Sequence, residues 1–285
     1  MVHPVLERNL ILKFMAHKFV HRLLGPWSFK RVFISLLEIY LLLLIFAWFF
    51  ADLLVHHPPH HSFSRLPGEI TLKTSDGVKI SAIWMPNPKA THTLLFSHGN
   101  GEDMDYDSDY LQELSAAGFN VFAYDYRGYG HSEGKPNEEG LYRDIDAAYD
   151  YLTKNLNVSP AQIIVLGRSL GSGPSTYLAS SKPVGGLVLE SAFTSAFRVA
   201  IPFPLFPFNQ FPNLERIHRV KCPILIMHGT LDTLIPIVQG QTLFAAASAP
   251  KTSVWIQGAG HNNLFPHDPD RYLEAIRTFS NSLSK

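Results

Sequence analysis

Ser169 stands between glycines two residues away on either side, in Gly167-Arg168-Ser169-Leu170-Gly171, directly after the apolar run Ile163-Ile164-Val165-Leu166. A serine at a sharp strand-to-helix turn has its hydroxyl lifted above the sheet edge, and the flanking glycines remove Cβ atoms that would clash there. A hydroxyl attacks poorly at neutral pH. It needs an imidazole within reach to take its proton and a carboxylate to fix that imidazole's tautomer. Downstream, the strand-like Pro223-Ile224-Leu225-Ile226-Met227 leads into His228-Gly229-Thr230-Leu231-Asp232, and Ser253-Val254-Trp255-Ile256 leads into Gly258-Ala259-Gly260-His261-Asn262-Asn263. Asp232 is the candidate acid and His261 the candidate base, each following its own strand, in the order serine, acid, histidine. Two rivals stand beside them. Glu190 closes the strand-like Gly186-Leu187-Val188-Leu189, and His267 lies in Phe265-Pro266-His267-Asp268-Pro269, which reads as a turn with a surface or capping histidine.

Acyl transfer also needs donors for the oxyanion of its transition state. Thr93-Leu94-Leu95-Phe96 reads as a buried third strand, followed by the loop Ser97-His98-Gly99-Asn100-Gly101. The two expected donors are the backbone N–H of Asn100 in that loop and the backbone N–H of Leu170, which follows the nucleophile at a helix N-terminus. His98 reads as structural. No spacing of histidines, cysteines or carboxylates matches a metal site, so neither a metal nor a cofactor is expected.

Strand-like runs alternate with helical stretches at residues 110–117, 138–154, 238–247 and 271–283. This alternation predicts an α/β fold, a mainly parallel sheet with helices on both faces. Tyr124-Asp125-Tyr126-Arg127-Gly128-Tyr129-Gly130, ending the fourth strand, reads as a structural turn with an Asp-Arg contact. Residues 193–220 interleave Pro202, Pro204, Pro207 and Pro212 with Phe203, Leu205, Phe206, Phe208 and Phe211. Prolines this dense prevent a regular helix, and the aromatics need apolar cover, so the segment reads as a short cap over the site. Whether its phenylalanines shelter an acyl chain or only pack the cap stays open.

Six segments together resemble one family: SHGNGED at 97–103, FAYDYRGYGHSEGKP at 122–136, LYRDIDAAYDYL at 141–152, GRSLGSGP at 167–174, HGTLD at 228–232 and GAGHNN at 258–263. They are similar, in register from about residue 68 to 284, to the abhydrolase-domain branch of the α/β-hydrolases, which includes eukaryotic protein depalmitoylases and bacterial relatives. The resemblance implies the α/β-hydrolase fold with an eight-stranded sheet, and a triad of Ser169, Asp232 and His261. It does not fix the substrate. The depalmitoylase branch carries acylated cysteines near its N-terminus, whereas this chain has only Cys222. Attachment to a membrane must then be made another way.

Residues 32–55 are almost wholly apolar and supply one. Their densest thirteen, Ile39 onward, would rise only about 20 Å as a helix, short of a ~30 Å hydrocarbon core, so a spanning helix must also use residues 32–37 and carry Glu38 inside. Arg8, Lys13, Lys18, Arg22, Lys30 and Arg31 precede the segment, and only Arg65 and Lys73 follow closely. That asymmetry leaves the N-terminus in the cytoplasm and the C-terminal domain on the extracytoplasmic side of a single-pass membrane protein. Leu6, Leu10, Phe14, Val20 and Leu24 recur at near-helical spacing among the basic residues, as in an amphipathic helix resting on anionic lipid, with a solvated leader as the alternative.

The expected organisation is a basic leader (1–31), a transmembrane anchor (32–55), a linker (56–67) and a catalytic domain (68–285) with its cap near 193–220. Equal counts of basic and acidic residues, 24 of each, remove any case for nucleic acid, and one cysteine cannot form an intrachain disulfide. The expected activity is a membrane-anchored serine hydrolase cleaving carboxylic ester or thioester bonds through an acyl-enzyme, on a small-molecule or lipid-like acyl ester. An amidase or peptidase of the same fold, and a non-catalytic membrane binding protein, are the alternatives.

Overall fold

The computed structural model describes residues 28–59, 66–201 and 203–283. The chain divides into two compact units, Met1–Ala51 and Asp52–Lys285. Helix α1, Phe29–Val55, makes up nearly all of the described part of the first unit. It starts three residues before the expected apolar segment, and its 27 residues give a length of about 40 Å, more than a hydrocarbon core requires. Among the described residues it is the one helix long and apolar enough to cross a membrane. Its leucines and phenylalanines are mostly exposed, and Phe46 stacks on Phe50 one turn on. The expected amphipathic leader helix, most of the basic residues before the span, and much of the expected linker lie outside the described residues.

The second unit is built on an eight-stranded sheet: β1 Ile70–Lys73, β2 Lys79–Met85, β3 Thr93–Ser97, β4 Asn120–Tyr124, β5 Ile163–Arg168, β6 Gly186–Glu190, β7 Ile224–Gly229 and β8 Lys251–Ile256. Their spatial order is β1-β2-β4-β3-β5-β6-β7-β8. From β4 to β8 every neighbouring pair is parallel, and only β2 runs against its neighbours. A central parallel strand is covered on both faces, which is why β3, β6 and β7 are buried along their whole length. Alternate residues then enter opposite cores. Leu95, Phe122, Val165, Leu187 and Ile226 pack in one, with α3 (Glu138–Asp150), α4 (Ser172–Ser181) and α5 (Ile237–Ala246). Leu94, Phe96, Ile164, Leu166 and Met227 pack in the other, with α2 (Ser108–Ala116) and α6 (Pro269–Leu283).

Two elements differ from the expectation. The helix read as 138–154 is α-helical only to Asp150 and continues as a π-helical turn, Tyr151–Asn155. The Thr153 hydroxyl donates to the Tyr149 carbonyl at 2.9 Å, a back-bond that competes with the helical ladder. The Asp-Arg contact of the turn after β4 is not made within the turn. Arg127 instead reaches Asp144 on α3 and Asp76, with side-chain bonds of 2.8–3.2 Å, while Asp125 Oδ1 accepts the Met104 N–H at 2.8 Å.

Candidate active site

The turn at Ser169 follows from what its neighbours leave room for. β5 ends at Arg168, and Ser169 has φ +51°, a left-handed conformation that side chains avoid. Gly167 and Gly171 make it possible. A Cβ on Gly171 would fall on the Ser97 carbonyl oxygen of β3, and one on Gly167 would come within 2.5 Å of Ser175 Oγ. Hence the two glycines let the turn pack flush against the end of β3, and α4 starts at once from Ser172.

The loops after β5, β7 and β8 bring Ser169, Asp232 and His261 together. His261 Nε2 is 2.9 Å from Ser169 Oγ, and His261 Nδ1 is 2.7 Å from Asp232 Oδ2. A carboxylate only accepts, so Nδ1 carries the proton and Nε2 offers its lone pair to the hydroxyl. Asp232 is held by its own loop, its Oδ1 accepting the N–H groups of Leu234 at 3.0 Å and Ile235 at 2.7 Å. Burial alone would raise its pKa, but hydrogen bonds from His228 and His261 hold it well below the usual carboxylate range.

His228 is a supporting residue that the reading of the sequence passed over. Its Nε2 lies 2.8 Å from the Ile235 carbonyl and 3.2 Å from Asp232 Oδ2, two acceptors, so it carries a proton shared between them. The signal was present in HGTLD: a histidine four residues before the acid, at the buried end of β7.

The rivals lie elsewhere. Glu190 is buried behind the site, where Tyr272 Oη donates to it at 2.7 Å, and burial raises its pKa. It is not hydrogen-bonded to His261; the nearby Ser191 hydroxyl reaches only the His261 carbonyl. His267 is exposed at the end of a single helical turn, and its Nε2 donates to the Gln257 carbonyl at 3.0 Å.

In the loop after β3, Asn100 uses its side chain for structure. Its Nδ2 donates to the Val55 carbonyl at 2.8 Å, and its Oδ1 accepts the His57 N–H at 2.8 Å and the Tyr129 hydroxyl at 2.7 Å. Leu170 is buried at the start of the helical turn after Ser169. His98 is buried against the Tyr126 ring, its Nδ1 donating to the Gly99 carbonyl at 2.8 Å, and burial lowers its pKa to about 4. It is therefore a neutral, structural histidine.

The proline-rich segment holds short turns, Phe197–Ala200, Asn213–Arg216 and Ile217–Arg219, as dense prolines require. Its aromatics divide in two. Phe211 is fully buried and meets Phe193 and Tyr142 edge-on, whereas Phe197, Phe206 and Phe208 cluster with one another and Phe203 is exposed.

Sequence and structure comparisons identify the fold and the family. A family model described as the alpha/beta hydrolase fold matches residues 92–215. Alpha/beta hydrolase domain-containing protein 17B of Homo sapiens is 39% identical over 211 residues, 73% of this chain and 73% of that protein. The domain-containing protein aho-3 of Caenorhabditis elegans is 42% identical over 200 residues, 68% of this chain and 59% of that protein. Among solved structures, the Pyrococcus furiosus esterase Pf2001 superposes with a TM-score of 0.69 at 20% identity, covering 81% of this chain and 98% of that one. Esterase RhEst1 from Rhodococcus superposes at 0.62 with 21% identity, covering 76% and 99%. At those identities the superpositions speak for the fold. The relatives, sharing nearly two-fifths of their residues over most of both chains, speak for kinship: this chain belongs to the α/β-hydrolase family.

Proposed function

We propose that this hydrolase is a membrane-anchored serine enzyme that cleaves carboxylic ester or thioester bonds through an acyl-enzyme. The observation that carries the proposal is the continuous relay from Ser169 Oγ through the His261 ring to Asp232, with spacings of 2.9 and 2.7 Å. Ser169 Oγ attacks the acyl carbonyl carbon as its proton passes to His261 Nε2, and Asp232 stabilises the imidazolium so formed. The backbone N–H groups of Asn100 and Leu170 receive the oxyanion. Collapse expels the alcohol or thiol, which takes the proton from His261. Water then attacks the acyl-enzyme by the same route, giving the carboxylic acid and restoring Ser169.

Residues 68–285 are the catalytic domain in this proposal, and 193–220 the segment that selects the acyl group. Helix α1 is the anchor. Lys30 and Arg31 in its first turn, with the basic residues before it, set the N-terminus in the cytoplasm and the catalytic domain on the other side.

Incubation with a fluorophosphonate probe tests the chemistry: the wild type is labelled and Ser169→Ala is not. A folded wild type that takes no label would overturn it. Protease treatment of sealed vesicles tests the orientation, which is wrong if the catalytic domain is digested only when the cytoplasmic face is opened. Esters and thioesters of graded chain length identify the acyl preference, and turnover of very short acyl groups alone would exclude a lipid-like substrate.

A further inference from the structure

We propose that Glu102 and Arg168 are positioning residues that clamp the two oxyanion donors into register, a role resting on the assignment of those donors to Asn100 and Leu170. The donors belong to different loops, one after β3 and one after β5. A tetrahedral oxyanion needs both N–H vectors to converge, and a donor that is rotated away contributes little.

Gly99 is the weak point. It lies directly before Asn100, and a residue without a side chain has the freest backbone in the chain. Its carbonyl belongs to the same peptide plane as the Asn100 N–H, so whatever turns that plane turns the donor. Both ends of Gly99 are tied: its carbonyl accepts from His98 Nδ1 at 2.8 Å, and its N–H donates to Glu102 Oε2 at 2.6 Å. The Glu102 carboxylate fills the space beside Gly99, where a Cβ would come within 2.5 Å of Oε2.

The same Oε2 accepts from Arg168, at 2.7 Å from Nη2 and 3.1 Å from Nε. Arg168 immediately precedes Ser169 and stands two residues before Leu170, so one carboxylate oxygen joins the two donor loops. The guanidinium is fixed in turn by an ion pair with Asp107 and by the faces of Phe96 and Tyr110, 5.3 and 5.1 Å from the ring centres. The Glu102 and Arg168 side chains are only 13% and 12% exposed. A charge-assisted bond in that setting is strong and little screened, so the clamp is stiff.

The test compares Glu102→Ala, Glu102→Gln, whose amide oxygen can still accept from Gly99 and Arg168, Arg168→Met and the Glu102→Ala/Arg168→Met double variant with the wild type. The readouts are kcat, KM and affinity for a trifluoromethyl ketone, which forms a tetrahedral oxyanion on the serine. Fluorophosphonate labelling of the wild type is measured first, since failure there sinks the nucleophile assignment and not the clamp alone. With labelling intact, Glu102→Ala should lower kcat about 10- to 100-fold, a misaimed donor losing up to what a deleted one loses. KM should change about twofold or less, and trifluoromethyl ketone affinity should fall in step with kcat. The double variant should be no worse than the poorer single one, because each breaks the same link. An unchanged kcat in folded Glu102→Ala, a fall in melting temperature with inhibitor affinity preserved, or multiplicative losses in the double variant would each refute the clamp.

Discussion

Asp232→Asn is the substitution that most directly probes the relay. The Asn Oδ1 can keep both amide bonds now made by Asp232 Oδ1, to Leu234 at 3.0 Å and Ile235 at 2.7 Å, so the loop should hold its shape. Its NH2 then occupies the place of Oδ2, facing His261 Nδ1 at 2.7 Å and the protonated His228 Nε2 at 3.2 Å. A donor there accepts no proton from His261. It favours the tautomer with a bare Nδ1, which puts the ring proton on Nε2, against Ser169 Oγ and in the place of the lone pair that must take the serine proton. Tautomer reversal in a triad of this kind lowers kcat by about 10⁴. At 1.36 kcal/mol per decade that is about 5.5 kcal/mol of lost transition-state stabilisation. The assay is steady-state hydrolysis of a p-nitrophenyl ester, with circular dichroism and thermal unfolding to establish the fold. A loss under about tenfold in a protein that melts like the wild type would refute the assignment. If Glu190→Gln instead produced the large loss, the acid would belong to the neighbouring strand.

Three further outcomes follow from particular contacts. Ser169→Gly should be more stable than Ser169→Ala by about 1 kcal/mol, since both lose the hydroxyl but only glycine relieves the φ of +51°; urea unfolding checks this, and the reverse order would refute the strain. Arg127→Met leaves the fully buried Asp144 carboxylate without its cation and should destabilise the fold by about 3–5 kcal/mol, so a loss below about 1 kcal/mol in denaturant unfolding would discount the pair. Burial raises Asp125 to about 8, so the folded protein holds its proton more tightly than the unfolded chain does. That contribution is complete below the unfolded carboxylate pKa near 4 and is lost as pH rises through about 8. Asp125→Asn is neutral throughout and should therefore gain stability relative to the wild type from pH 5 to 8; a pH-independent difference in unfolding midpoint would contradict it.

The mainly parallel character of the sheet was legible because parallel strands buried on both faces read as unbroken apolar runs. Thr93-Leu94-Leu95-Phe96 and Ile163-Ile164-Val165-Leu166 are such runs, and they are the strands that carry the Asn100 loop and the Ser169 turn. The π-helical turn after Asp150 was not legible, since a threonine back-bond leaves no mark in hydrophobic spacing. The Arg127 partners were misplaced for a similar reason. Asp125 is two residues away and Asp76 and Asp144 are 51 and 17 away, and a long guanidinium selects by reach in space.

By itself the sequence determined the order and the chemical type of the relay: a serine between glycines, then an acid, then a histidine, each after its own strand. A strained turn needs glycines and a strand needs apolar residues, so these are local requirements, and local requirements are written in adjacent letters. Tertiary structure decided the choices between like residues. Glu190 ends β6 and Asp232 lies in the loop after the neighbouring β7, and both are carboxylates, yet only Asp232 has its charge held by two backbone amides and two histidines, while Glu190 is taken by Tyr272. Tertiary structure also recruited His228, Glu102 and Arg168, whose bonds depend on distances of a few ångströms between segments up to 66 residues apart.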